Sequence, residues 1–140
     1  MPRALSYLAC LRLAAALTLT TQSRIPNTTP RDLQRFLATP ANWPRIVLSS
    51  IGVEGASTTS PLRPGAEVDE LFGLPPVLPL RVTWRCEAAD ATSLDVRSAD
   101  GLDGVATECR MAFAIEADGD GSIVDLAMSY EPASPLALDA

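Results

Sequence analysis

From Leu80 to Ala88 apolar and polar side chains alternate without a slip: Leu80, Val82, Trp84, Cys86 and Ala88 fall on one parity, Arg81, Thr83, Arg85 and Glu87 on the other. A second stretch repeats the pattern at greater length. Val105, Thr107, Cys109, Met111, Phe113 and Ile115 share one face, opposite Ala106, Glu108, Arg110, Ala112, Ala114 and Glu116. A period of two belongs to strands, and alternation marks a sheet that buries one face and shows the other to water. An antiparallel sheet with one apolar side is therefore the frame into which the rest of the chain must fit.

The remaining segments supply more strands and little helix. Leu17 to Ile25 alternates as a strand, with Leu17, Leu19, Thr21 and Ile25 on one parity. Thr29-Pro30-Arg31-Asp32 then offers an N-cap, a proline for the first helical position and an acid for the first turn. Leu33, Phe36 and Leu37 follow at helical spacing, and Pro40 stops that helix. Asn42-Trp43-Pro44 reads as a turn or a short second helix, and Ile46 to Val53 as a strand. After a Ser/Thr/Pro-rich loop over 55–64, Glu67 to Phe72 alternates, with Val68, Glu70 and Phe72 on one face. Ser93 to Ser98 is a short strand, and Asp100-Gly101 and Asp118-Gly119-Asp120-Gly121 are turns. In the last strand Val124, Leu126, Met128 and Tyr130 share a face up to Pro132, and residues 133–140 read as the first turn of a helix. The sum is an α+β layout of about seven strands, with one or two short helices between the first and second.

What the chain lacks narrows its chemistry. It has 140 residues, no His, and 11 basic residues that are all Arg. The absence of His removes Ser-His and Cys-His pairs; the absence of Lys removes Schiff bases and the P-loop lysine. Cys10, Cys86 and Cys109 form no C-x-x-C pair, so neither a structural metal nor a disulfide framework is expected, and no cofactor is called for. A net charge of −6 opposes nucleic-acid backbones and anionic membranes. DGDG at 118–121 lacks the further acids and closing Glu of a calcium loop.

Charge is also uneven along the chain. Residues 1–31 carry Arg3, Arg12, Arg24 and Arg31 and no acid. With Leu5, Leu8, Leu11 and Leu13, the segment 1–16 reads as an amphipathic organelle-targeting stretch of an intracellular protein, or else as a leading helix or a frayed terminus before a domain at 17–140. No apolar run is long enough for a membrane span.

The order of strand, helix pair, six antiparallel strands and helix resembles the START-like (SRPBCC) superfamily. This is the helix-grip fold of the major birch pollen allergen, polyketide cyclase/dehydrase proteins and coenzyme Q-binding START proteins. The stretch RIPNTTPRDLQRFLATPANWPRIV, with its Trp43-Pro44 pair, is similar to the start of such domains. PLRPGAEVDELFG resembles the entry to their third strand, LRVTWRCEA the fourth, and SIVDLAMSYEP the last, so the likeness covers roughly residues 17–135. Such domains end in a long helix laid across the curved sheet. Here only its first turn is expected, so that either the helix is truncated or residues 1–16 or a second copy, as a homodimer, cover the apolar face.

The resemblance implies that the concave face forms the wall of a ligand cavity. Phe72, Trp84, Met111, Phe113, Met128 and Tyr130 are then the candidates to line it, or else simply core. Glu70 lies on the same parity, where burial would raise its pKa, unless a bulge after Gly65 turns it to solvent. Arg81, Arg85 and Arg110 sit on polar faces and are expected to form surface ion pairs. The resemblance implies binding or carriage of a hydrophobic small molecule such as a lipid, quinone or polyketide. The alternatives are a cyclase or dehydratase drawing on Glu70, Thr107 and Tyr130, and a ligand-free interaction module.

Overall fold

A computed structural model describes residues 16–73, 80–102 and 106–132. The expected leading segment, all but its last residue, and the expected first turn of a terminal helix at 133–140 lie outside them, as do Cys10 and Val105. Seven strands form one antiparallel sheet: β1 Leu17–Ile25, β2 Ser50–Glu54, β3 Glu67–Phe72, β4 Leu80–Asp90, β5 Ser93–Ser98, β6 Ala106–Asp118 and β7 Gly121–Pro132. Their order across the sheet is β1-β7-β6-β5-β4-β3-β2. The two edge strands are consecutive in sequence, so the chain between them must cross the whole sheet. It does so over the apolar face, as helix α1 (Pro30–Ala38), a single 3-10 turn (Pro40–Asn42) and helix α2 (Trp43–Ile46). The α1 helix packs on β5, β6 and β7, and α2 on β2.

α1 starts where the local chemistry dictates. The Thr29 hydroxyl accepts the Asp32 N–H at 3.2 Å, and Pro30 occupies the first turn, where it gives up no needed donor. Leu33, Gln34, Leu37 and Ala38 form the buried stripe. The strand expected from Ile46 begins only at Ser50, because Pro44 seeds a helical turn closed by the Val47 N–H on the Trp43 carbonyl at 2.9 Å. That turn overrides the β-branched run. The loop over 55–64 is pinned to the end of α1: the Leu62 N–H reaches the Ala38 carbonyl at 2.8 Å, and the Leu62 side chain is buried.

Two bulges break the parity expected of the long strands. In β4 the register shifts between Cys86 and Ala88, which exposes Ala88 and turns Ala89 toward the core. In β6 it shifts between Thr107 and Arg110, where Glu108 adopts φ +49°. Ala106 is therefore buried and Thr107 exposed, the reverse of the strict alternation, while Cys109, Met111 and Phe113 keep the inward face. Each extra residue bends its strand and sharpens the local twist, which curves the sheet around α1. The β6–β7 hairpin turns at Gly119, whose φ of +58° suits the first central position of a type II′ turn.

The core divides unequally along the sheet. Val68, Val82, Trp84, Cys86, Leu94 and Val96 pack with Trp43, Ala38 and Leu62 under β3, β4 and β5. Leu33, Leu37 and Ile115 form a smaller cluster nearer β1, joined by Ile25, Phe36, Phe113 and Val124. On the outer face Arg81 pairs with Glu54 and Asp69, Arg97 with Glu108, and Arg110 with Asp95. Arg85 makes no ion pair among the described residues. Asp118 and Asp120 of the DGDG turn are both held by Arg24, at 2.7 and 2.8 Å.

Candidate functional site

The less filled end of the concave face is a groove of about 550 Å³ between α1 and the strands β1, β7 and β6. Its floor is Thr21, Ser23 and Ile25 of β1, Val124 and Leu126 of β7, and Phe113 of β6. Leu33, Phe36 and Leu37 of α1 form the opposite wall, Ile46 of α2 closes one side, and Thr28 and Asp32 stand at the start of the helix. The register explains the floor. Thr21 faces Leu126, which faces Phe113; Ser23 faces Val124, which faces Ile115. Residues two apart along each strand share the face, so these rows run under α1 together.

The next rows continue the same face beyond the groove. Leu19 lies opposite Met128 and Met128 opposite Met111, with Leu17 opposite Tyr130. Leu19 is 63% and Met128 40% exposed, whereas Met111 and Tyr130 are half-buried. Of the residues singled out in the sequence, Phe113 lines the groove, and Met111, Met128 and Tyr130 extend its floor. Phe72, Trp84 and Glu70 stand at the other, filled end of the sheet. The α1 wall and the β1 floor were not singled out in the sequence, although their signal was there: Leu33, Phe36 and Leu37 form a helical stripe, and Ile25 shares the parity of Leu17 and Leu19.

Glu70 faces inward. It is 1% exposed, and its Oε2 accepts the Trp84 indole N–H at 2.9 Å. No bulge after Gly65 turns it out, since Val68 pairs with Trp84 and Glu70 with Val82 in continuous register. Burial pushes the carboxyl above the ordinary glutamate range, and the nearby Ser50 hydroxyl and Trp84 oppose that rise. Oε1 and the Ser50 Oγ are both buried without a completed hydrogen bond. Its neighbour Asp69 points the other way and is held below the usual range by the Thr83 hydroxyl and by Arg81.

Among the described residues no three Cys, Asp or Glu side chains gather as a metal-binding group, and no helix is long and apolar enough to cross a membrane. The groove can therefore take up apolar surface, with hydroxyls and one carboxylate at its edge, and it brings together no paired acid and base.

No family model and no curated protein sequence matches the chain. Solved structures do. Ginseng major latex-like protein 151 from Panax ginseng superposes with a TM-score of 0.64 at 16% identity, over 89% of each chain. Norcoclaurine synthase from Thalictrum flavum gives 0.64 at 12% identity, over 89% of this chain and 74% of its own. The di-domain ARO/CYC StfQ from the steffimycin biosynthetic pathway gives 0.70 at 11% identity, over 91% of this chain and 40% of its own. At such identities the likeness is one of fold.

Proposed function

We propose, for a chain that adopts the START-like helix-grip fold, that it binds a hydrophobic small molecule in the groove beneath α1. One observation carries this reading: a space of about 550 Å³ whose walls are mostly apolar side chains drawn from both helices and three strands. Its size lies within the ordinary range of small-molecule sites. Phe113 and Leu126 are its central contacts, and Met111, Met128 and Tyr130 accept whatever part of the ligand extends past the end of α1. Thioether and aromatic side chains there suit a lipid, quinone or polyketide-like body, because they adapt to shape without demanding polar partners.

A cyclase or dehydratase would need polar groups facing the substrate. Glu70 is sealed under Trp84 and Thr107 lies on the outer face, which leaves Tyr130, two rows beyond Leu126, apart from both of them at the ligand face. Carriage therefore fits better than turnover. On the partner side the same reading includes self-association through the open rows at Leu19 and Met128.

The test is extraction of the purified chain for a bound apolar molecule by native mass spectrometry, together with titration of Nile red. We expect an adduct, or saturable dye binding that Leu126→Asp abolishes with the circular dichroism spectrum unchanged. Absence of both adduct and saturable binding would overturn the reading.

A further inference from the structure

We infer that the groove selects apolar molecules carrying a positive charge, an amine on a hydrocarbon or aromatic body, with Asp32 as the counter-charge. This rests on the groove being a ligand site. The inference comes from how charge is sorted around α1. Among the described lining residues Asp32 is the single ionisable side chain, and it has no ion-pair partner among the described residues. Arg45 of α2 adjoins the lining residue Ile46 without itself lining the groove, and three other neighbouring cations face other surroundings. Arg24 alternates with the groove residues Ser23 and Ile25 and is taken up by Asp118 and Asp120 at the hairpin. Arg31 and Arg35 of α1 border a separate depression formed with Pro61, Arg63 and Asp90.

An anionic headgroup entering the groove would thus find no guanidinium among the described lining residues. It would also find little help from the start of α1, because the Thr29 hydroxyl already takes one free N–H and Asp32 opposes the positive end of the helix. A fatty-acid carboxylate would meet like charge, whereas an ammonium would meet a carboxylate at the edge of a water-poor wall. Thr21, Ser23 and Thr28 add hydroxyl oxygens able to accept its remaining N–H groups. Because Asp32 is exposed, the discrimination is modest, about fivefold between an amine and the matching alcohol.

The experiment displaces Nile red, a neutral probe, with decylamine, decanol and decanoate at neutral pH. The expected order is amine, then alcohol, then carboxylate, with the amine-to-alcohol ratio shrinking at high salt as an exposed ion pair requires. In Asp32→Asn the ratio falls to about one. Equal affinity for amine and alcohol in the unaltered chain, or a preference that survives both high salt and Asp32→Asn, would overturn the inference while leaving the groove a ligand site. Displacement by none of the three would overturn the groove itself, a separate result.

Discussion

Glu70 shows what a single side chain contributes. Its parity beside Val68 and Phe72 was legible in the sequence; its burial was not, because one inserted residue would have reversed the face, and only the pairing with Val82 settles the register. The consequence is a pH dependence of known sign. A carboxyl whose folded pKa is raised holds its proton more tightly in the native state, so the stability it supports is complete below the ordinary glutamate pKa and is lost as pH climbs toward the raised value. Asp69 works in the opposite sense: its contribution is present above the ordinary aspartate range and lost as pH falls below it. The two windows do not overlap. In urea unfolding, Glu70→Gln is expected to flatten the decline on the alkaline side of the glutamate range and to add about 1 kcal/mol at neutral pH, since an amide can accept from Trp84 and donate to Ser50. An unchanged slope would show that Glu70 does not titrate there. Trp84→Phe should act in reverse by stripping the carboxyl of its donor.

Among the elements, α1 was readable almost residue for residue, because cap, proline and apolar stripe are local signals that agree. The bulges in β4 and β6 were not. Ala88 and Ala89 fit either face, and Thr107 tolerates solvent as readily as Ala106 tolerates burial, so the side chains carry no mark of the slip. Of the groove, the β6 and β7 side was named in the sequence through Phe113, Met111, Met128 and Tyr130, whereas the α1 wall and the β1 floor were not, because nothing local to those two segments says that they close over the same space. The hinge into α1 is Asn27, held at φ +55°, a conformation asparagine tolerates better than most residues. Asn27→Ala is expected to cost about 1 kcal/mol by denaturant unfolding, and Thr29→Ala a similar amount through loss of the cap. Because both changes loosen the entry to the helix that roofs the groove, each should also weaken Nile red binding. A variant that loses stability but keeps dye affinity would show that α1 is seated by its packing rather than by its entry.

At the scale of the molecule, the polar face is laced with Arg–carboxylate pairs, while the opposite face exposes Leu19 and Met128 among the described residues at one end. The strands, turns and capped helix were legible from local pattern as an α+β layout, and how they close into one sheet was implied by the resemblance of their order to START-like domains. Leu19 and Met128 side by side form an apolar strip at that end. Leu19→Ser is expected to lower self-association in sedimentation velocity without changing the circular dichroism spectrum. A wild-type chain that sediments as a monomer at all concentrations would count against association through this strip.

The pairing of β1 with β7 also bears on time. Gln22 and Asp125, opposite each other across that pair, are 103 residues apart in the chain. During synthesis β1 emerges well before β7, the strand it bonds among the described residues, and such distant pairings close slowly. By contrast β2 through β6 each pair with the strand next in the chain, so their contacts are local. The floor of the groove therefore joins the first strand of the sheet to the last two, and its β1 side depends on the pairing that spans most of the chain.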